Sequence, residues 1–201
     1  MNDAPNRGLL TTPNKLLAVL APEVLQALTP HFKVREYAQG TVLAVSGGPV
    51  IEVYFPYSGI VSLVVELKEG DMVEAAMVGR DGVVNAASAL DGRVSLNKAI
   101  VQMSAFMAAV PVPIIVAIAD QYRDFRSLLI RHEQVLLAQS QQSGACNASH
   151  MVEARLSRWL LRTRDLVQRT TYPSPRSFWA RCSASSGRVS PLLPVRCKKQ
   201  G

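Results

Sequence analysis

The chain has 201 residues, 48% of them hydrophobic and 18% charged, which is enough apolar content for a buried core and excludes a disordered chain. Its net charge of +7 is unevenly placed: residues 1–154 hold 11 basic and 14 acidic side chains, whereas residues 155–201 hold 11 basic and one acidic. Three cysteines, two of them (Cys182 and Cys197) in that basic tail, make neither a disulfide framework nor a metal-ligand spacing, so a reducing cytoplasm is the default expectation.

Residues 1–12 are expected to be a flexible N-terminus, and no basic region followed by an apolar one marks a signal peptide. In residues 14–32, Leu16, Leu17 and Leu20 precede a break at Pro22, and Val24, Leu25 and Leu28 follow it, which predicts two short amphipathic helices. From Val34 the period becomes strand-like. Gly40, Gly47, Gly48, Gly59, Gly70, Gly79, Gly82 and Gly92 punctuate the runs TVLAV, IEVYFP, IVSLVVEL, MVEAAMV and AIVQM, the pattern of a small antiparallel barrel or roll over residues 13–119. The uncharged run Ala99 to Ala119 contains Pro111 and Pro113, so it reads as a strand, a turn and a short helix and not as a membrane span.

Residues 120–165 contain no proline and a single glycine, and apolar side chains recur three and four apart, so this stretch reads as one long helix. At about 1.5 Å per residue it would outrun a small domain, and a second copy of the chain is the simplest partner for its exposed face. The expected dimer seam comprises Phe125, Leu128, Leu129, His132, Leu136, Gln139, Ser143, Cys146 and His150, with the Ala-, Ser-, Gly- and Gln-rich segment 138–149 acting as a close-approach seam or hinge. The fold class is α+β: an antiparallel β-roll flanked by helices, then a long dimerisation helix and an irregular tail.

The helical lead-in, the glycine-punctuated roll around YFPYSGIVSLV and the long helix ending in ARLSRWLL together resemble the Crp/Fnr family of bacterial transcriptional regulators over residues 13–165. The resemblance implies a cyclic-nucleotide-binding-like β-roll that senses an effector, a dimerisation helix, and a C-terminal winged helix-turn-helix that reads DNA. Cyclic-AMP sensors of the family use a glutamate after a glycine for the ribose and an arginine for the cyclic phosphate. Matching VGRDGVVNAASALDGRVSLNKAIVQM to that cassette puts Gly82 at the glycine, Val83 at the glutamate and Asn97 at the arginine, so both functional groups are missing and cyclic AMP is not the expected effector. Gly79, Asp81, Gly82, Val83, Asn97 and Lys98 remain the candidate effector-pocket residues, for a small molecule the sequence does not identify. No cofactor is expected: every cysteine lies at or beyond Cys146, which excludes the family's N-terminal iron–sulfur cluster, and His132 and His150, about 27 Å apart along a helix, share no metal. Without a paired nucleophile and base, spaced carboxylates or a phosphate loop, the chain is not expected to be an enzyme.

Arg155, Arg158, Arg162 and Arg164 form a basic helix end, and after Asp165 the remaining 36 residues contain no carboxylate, four prolines and no structural period. The resemblance implies a helix-turn-helix here. Letting each codon begin one base earlier, with free synonymous choice, turns residues 197–200 into LQEA, 177–185 into EFLGAMLGV, 187–195 into RSRVSPAAG and 172–176 into LPLTQ, in the order of the missing motif. This predicts a frameshift between about Leu161 and Thr170, leaving residues 166–201 as an out-of-frame remnant, with no DNA-reading residue identifiable in this frame and sequence-specific DNA binding impaired.

Overall fold

The computed structural model describes residues 12–68, 72–92 and 94–167. The frameshift expectation for the tail beyond Val167, and the expected mobility of the first eleven residues, lie outside the described part. A short helix α1 (Lys15–Ala18) starts where the Asn14 side chain accepts from Leu17 N at 3.0 Å, and α2 (Pro22–Leu28) starts with its proline at the first position, where no backbone donor is lost. A 3-10 turn (Thr29–His31) leads into β1 (Lys33–Tyr37), followed by β2 (Val42–Ala44), β3 (Glu52–Pro56), β4 (Ile60–Glu66), β5 (Met72–Val78) and the short helix α3 (Ala86–Leu90). Strands β6 (Lys98–Met103) and β7 (Ala105–Pro111) complete the roll, and α4 (Val112–Gln121), α5 (Arg123–Ser149) and α6 (Val152–Val167) follow.

The strands form two antiparallel sheets, β1-β7-β3 and β2-β6-β4-β5. Alternation along β3 splits the interior into two clusters. Val53 and Phe55 face the helices with Leu17, Leu28, Ile115, Phe125 and Leu129, while Tyr54 faces the other sheet with Val61, Val78, Val84, Val101 and Met107. The tight β3–β4 turn needs Gly59: its φ is +72°, and a Cβ there would lie 2.5 Å from Ser104 O.

Three features depart from the sequence expectation. The run Ala99 to Ala119 holds a second strand, β7, between the expected strand and the expected short helix α4; β7 is the centre of its sheet, and its Met107, Ala108, Ala109 and Val110 are fully buried, which is why the run carries no charge. The single helix over 120–165 is broken twice, at Tyr122 and at His150–Met151, where His150 is extended (φ −111°, ψ 149°). The second break returns α6 along the roll, which lets Thr163 and Leu166 bury at 2% and 3% exposure. An unbroken helix would leave that face in water. Helix α6 also extends to Val167, so Leu166 belongs to a packed helix and not to an irregular tail.

Candidate functional site

Helix α5 runs along β5, the edge strand of the four-stranded sheet, α6 packs on β4 and the end of β5, and the two meet at the loop 79–83. Residues on either side of this loop, Val78 and Val84, lie in the cluster between the sheets, and Val84 is tied to Tyr54 by reciprocal backbone bonds of 3.1 and 2.8 Å. The loop therefore touches the roll interior at both ends.

Five residues from three parts of the chain hold it. Asn14, completely buried, donates from Nδ2 to Pro56 O and Gly82 O at 2.9 Å each, and Lys15 N donates to Arg80 O at 2.7 Å. From α5, His132 Nε2 accepts from Val83 N at 3.3 Å, which assigns the proton of the neutral ring to Nδ1. From α6, Arg162 pairs with Asp81 at 2.9 Å, and Leu166 covers Gly79. Asp81 also accepts from Gly79 N at 3.3 Å. Both glycines are required by close approach: a Cβ on Gly82 would stand 2.2 Å from His132 Nε2, and one on Gly79 would stand 2.9 Å from Leu166 Cδ2. Burial pushes the His132 pKa below the usual histidine value, with Arg162 acting in the same sense and Asp81 opposing.

Of the six expected pocket residues, Gly79, Asp81, Gly82 and Val83 converge on this loop, while Asn97 and Lys98 belong to the start of β6. Lys98 is engaged by Glu66 at 2.9 Å, and Asn97 O accepts from Ser95 Oγ at 2.7 Å. Val83 is 1% exposed and packs with the helices; its neighbour Val84 faces between the sheets. The left-handed residue before α3, the position that suits glycine, is Asn85 (φ +70°) and not Gly82.

Polar groups that sequence reading missed flank Tyr54, from the part-buried Tyr37 out to a solvent-exposed ion pair. Tyr37 and Tyr54 meet edge to face at 5.7 Å, and Arg35 pairs with Glu52 at 3.0 Å. Burial, reinforced by Glu52, pushes the Tyr54 pKa up to about 12. Alternation along β1 and β3 was the available signal, because it puts Arg35, Tyr37, Glu52 and Tyr54 on one side.

The nine expected seam residues divide. Phe125, Leu129, Leu136, Ser143 and Cys146 are buried within the single chain, and Leu128 packs against the helix-side core. His132 is committed to Val83, and Gln139 Oε1 accepts from Met77 N at 2.7 Å, covering the open edge of β5. Ser143 accepts from Arg158 Nη2 at 2.6 Å. His150 is exposed at the break. All but His150 make the intramolecular face of α5. The opposite face carries Ile130 and Leu137, 48% and 59% exposed, with Gly144 open to space.

No protein-family model and no curated protein matches the chain in sequence. Solved structures match it in fold. The c-di-GMP responsive global regulator CLP of Xanthomonas campestris is 14% identical, with a TM-score of 0.61 over 76% of this chain and 77% of that one. A transcriptional regulator of the Crp/Fnr family from Eubacterium rectale is 10% identical, with a TM-score of 0.65 over 77% and 73%. A CRP-family transcriptional regulator from Thermus thermophilus is 17% identical, with a TM-score of 0.53; the match spans 63% of this chain and only 62% of that one. The β-roll with flanking helices and a long helix is the cyclic-nucleotide-binding jelly-roll fold of these regulators.

Proposed function

We propose that this chain is the effector-sensing and dimerising portion of a Crp/Fnr-type transcriptional regulator, a non-enzymatic cytoplasmic protein. One observation carries the reading: the last strand of a roll of this fold leads through α4 into α5, a helix of 27 residues whose inner face closes on the roll while Ile130 and Leu137 stand uncovered on the outer face. Two such faces, with Gly144 and its small neighbours at the far end, would close a two-fold dimer. The seam proposed here is therefore Ile130, Leu137 and Gly144, and not the intramolecular set. The effector, a small molecule other than cyclic AMP, would bind between the sheets near residues 79–85. The family's DNA recognition would lie beyond α6, and the composition of residues 168–201 supports its loss through a shifted reading frame.

Sedimentation equilibrium of the full chain tests the dimer: the wild type is expected to be dimeric, and Leu137→Asp monomeric with an unchanged far-UV spectrum. A wild-type monomer at every concentration would defeat the seam and favour a stand-alone ligand-binding or protein-interaction module, the second reading. A nucleotide read of the gene from the Arg155 codon past the stop tests the tail. A restored base would make the product a complete DNA-binding regulator, and a confirmed frame would leave a sensor fragment able to form mixed dimers with an intact relative.

A further inference from the structure

Helix α5 holds four glutamines, and their partners divide them into two pairs. Gln139 accepts from Met77 N, and Gln142 donates to Cys146 Sγ at 3.2 Å, so both of these amides are used within the chain. Gln134 and Gln141 are exposed, and among the described residues neither amide has a hydrogen-bond partner. The two unused amides lie two helical turns apart on one side.

Their spacing places them in the outer stripe. Ile130, Leu137 and Gly144 recur every seventh residue, Gln134, Gln141 and Ala148 stand four residues behind each, and all six are exposed. This is the repeat of a two-stranded seam, with a glutamine at two successive positions of the first kind in the heptad. The buried set from Phe125 to Cys146 points elsewhere: at 3.6 residues per turn the stripe is rotated by about 130° from it. Charge is equally informative. No Asp, Glu, Lys or Arg occurs between Glu133 and Glu153, and the residues flanking the stripe, Ala138, Ser140, Ala145 and Asn147, are neutral. A surface helix ordinarily keeps charged side chains on its outer face, and paired helices ordinarily choose partners through charged flanking positions. This stretch of α5 has neither. Arg123, one repeat before Ile130, is exposed and would meet its own copy, so the paired length begins at Ile130.

We propose that Gln134 and Gln141 select the partner of this face, each amide pairing with the same amide of a second copy that lies parallel and in register. The inference rests on the dimer reading above and adds which residues choose the partner. A glutamine amide both donates and accepts, so it is satisfied by its own copy across a two-fold axis. A charge at either position would repel itself there, and an aliphatic side chain opposite would leave the desolvated amide without a partner. The face therefore fits a chain with neutral amides at the same two places, which a second copy supplies, and disfavours a helix that carries charged or aliphatic residues there. Relative to leucine the amides weaken association and fix a single register.

Charge exchange at residue 141 tests the register in the full chain. Gln141→Glu and Gln141→Lys each bring like charges together, and sedimentation equilibrium at neutral pH is expected to show the dimer weakened at least about tenfold in both. Mixed in equal amounts, with one variant isotope-labelled so that native mass spectrometry separates the three pairings, they are expected to form the mixed dimer almost exclusively. A statistical mixture means that residue 141 does not meet its own copy, and it overturns the proposal. Gln141→Leu tests the amide itself. Tighter association or species larger than the dimer is expected, and a dimer of unchanged affinity and size overturns the selecting role. Residue 141 is exposed, so all three variants are expected to keep the wild-type far-UV spectrum. A wild-type monomer at every concentration defeats the dimer reading together with this one, whereas a wild-type dimer whose charged variants mix statistically defeats this inference alone.

Discussion

Helices α5 and α6 pack on the same sheet but are attached in different ways. The inner face of α5 inserts Phe125, Leu129 and Leu136 into the two main clusters, at 1%, 0% and 8% exposure, and adds Gln139 and His132 as hydrogen-bonding pins. Helix α6 packs Leu166, with Trp159 and Val167 beside it, into the smallest cluster and adds polar or sulfur partners for Arg158, Trp159, Arg162 and Thr163. Fully burying a large apolar side chain contributes about 2 kcal/mol and is insensitive to direction, whereas a hydrogen bond contributes roughly 1 kcal/mol and depends on geometry. One helix is therefore part of the core, and the other is a guest on its surface.

The contrast can be broken first at Phe125. Truncation by Phe125→Ala is expected to lower the stability of the whole unit by about 4 kcal/mol. Denaturant unfolding followed by far-UV circular dichroism and by tryptophan fluorescence should shift together; a fluorescence change alone would mean that α5 is no more integral than α6.

A smaller effect belongs to Gly82, where α5 crosses the loop. Gly82→Ala forces a methyl group into the His132 ring and is expected to cost roughly 2 kcal/mol in the same measurement. A neutral result would show that His132 swings aside and that its bond to Val83 is not a pin.

The pH dependence sharpens the role of that histidine. Its pKa is lowered in the folded state, so the folded protein takes up the proton less readily than the unfolded chain. The His132 contribution is fully present above the free-histidine value of 6.5 and is lost as pH falls from there through the lowered folded value. Glu74 and Glu133, raised by burial, act in the opposite sense: stability falls as pH rises from the usual 4.5 toward their folded values. His132→Gln, which keeps an acceptor for Val83, should flatten the slope just below pH 6.5 in a series of urea midpoints, where 6.5 is the free-histidine value. An unchanged slope would place the titration elsewhere.

The smallest expected effect separates the two faces of α5. Gly144 sits in mid-helix with nothing within 4 Å of an added Cβ, so Gly144→Ala should stabilise the monomer by about 0.7 kcal/mol through helix propensity. If Gly144 lies in a two-fold seam, the same methyl group should weaken the dimer in sedimentation. A variant with unchanged dimer affinity would move the seam toward Ile130.

Much of the site's composition was legible in the residues, but its partners were not. Gly79, Asp81, Gly82 and Val83 stood out as a group because the resemblance matched their segment to a ligand cassette. That the approaching atoms are Leu166 and His132 depends on contacts 87 and 50 residues away, which local pattern does not encode. Glu74 was invisible for a related reason. In MVEAAMV a strict alternation puts it on the same side as Ala76 and Val78, and only the bulge at Ala75 reverses it.

The sequence by itself determined that this chain makes a glycine-turned antiparallel roll with helices before and after it, because a period of two, a period of 3.6 and the turn chemistry of glycine are local properties. It also determined which faces of the last helices are apolar. Only the tertiary structure decided what covers those faces. The roll presents the flank of β5 as a partner, so Phe125, Leu129 and Leu136 fold inward and α6 turns back at His150. Periodicity gives the direction of a side chain from its own helix axis, and burial is settled by whichever surface reaches it first.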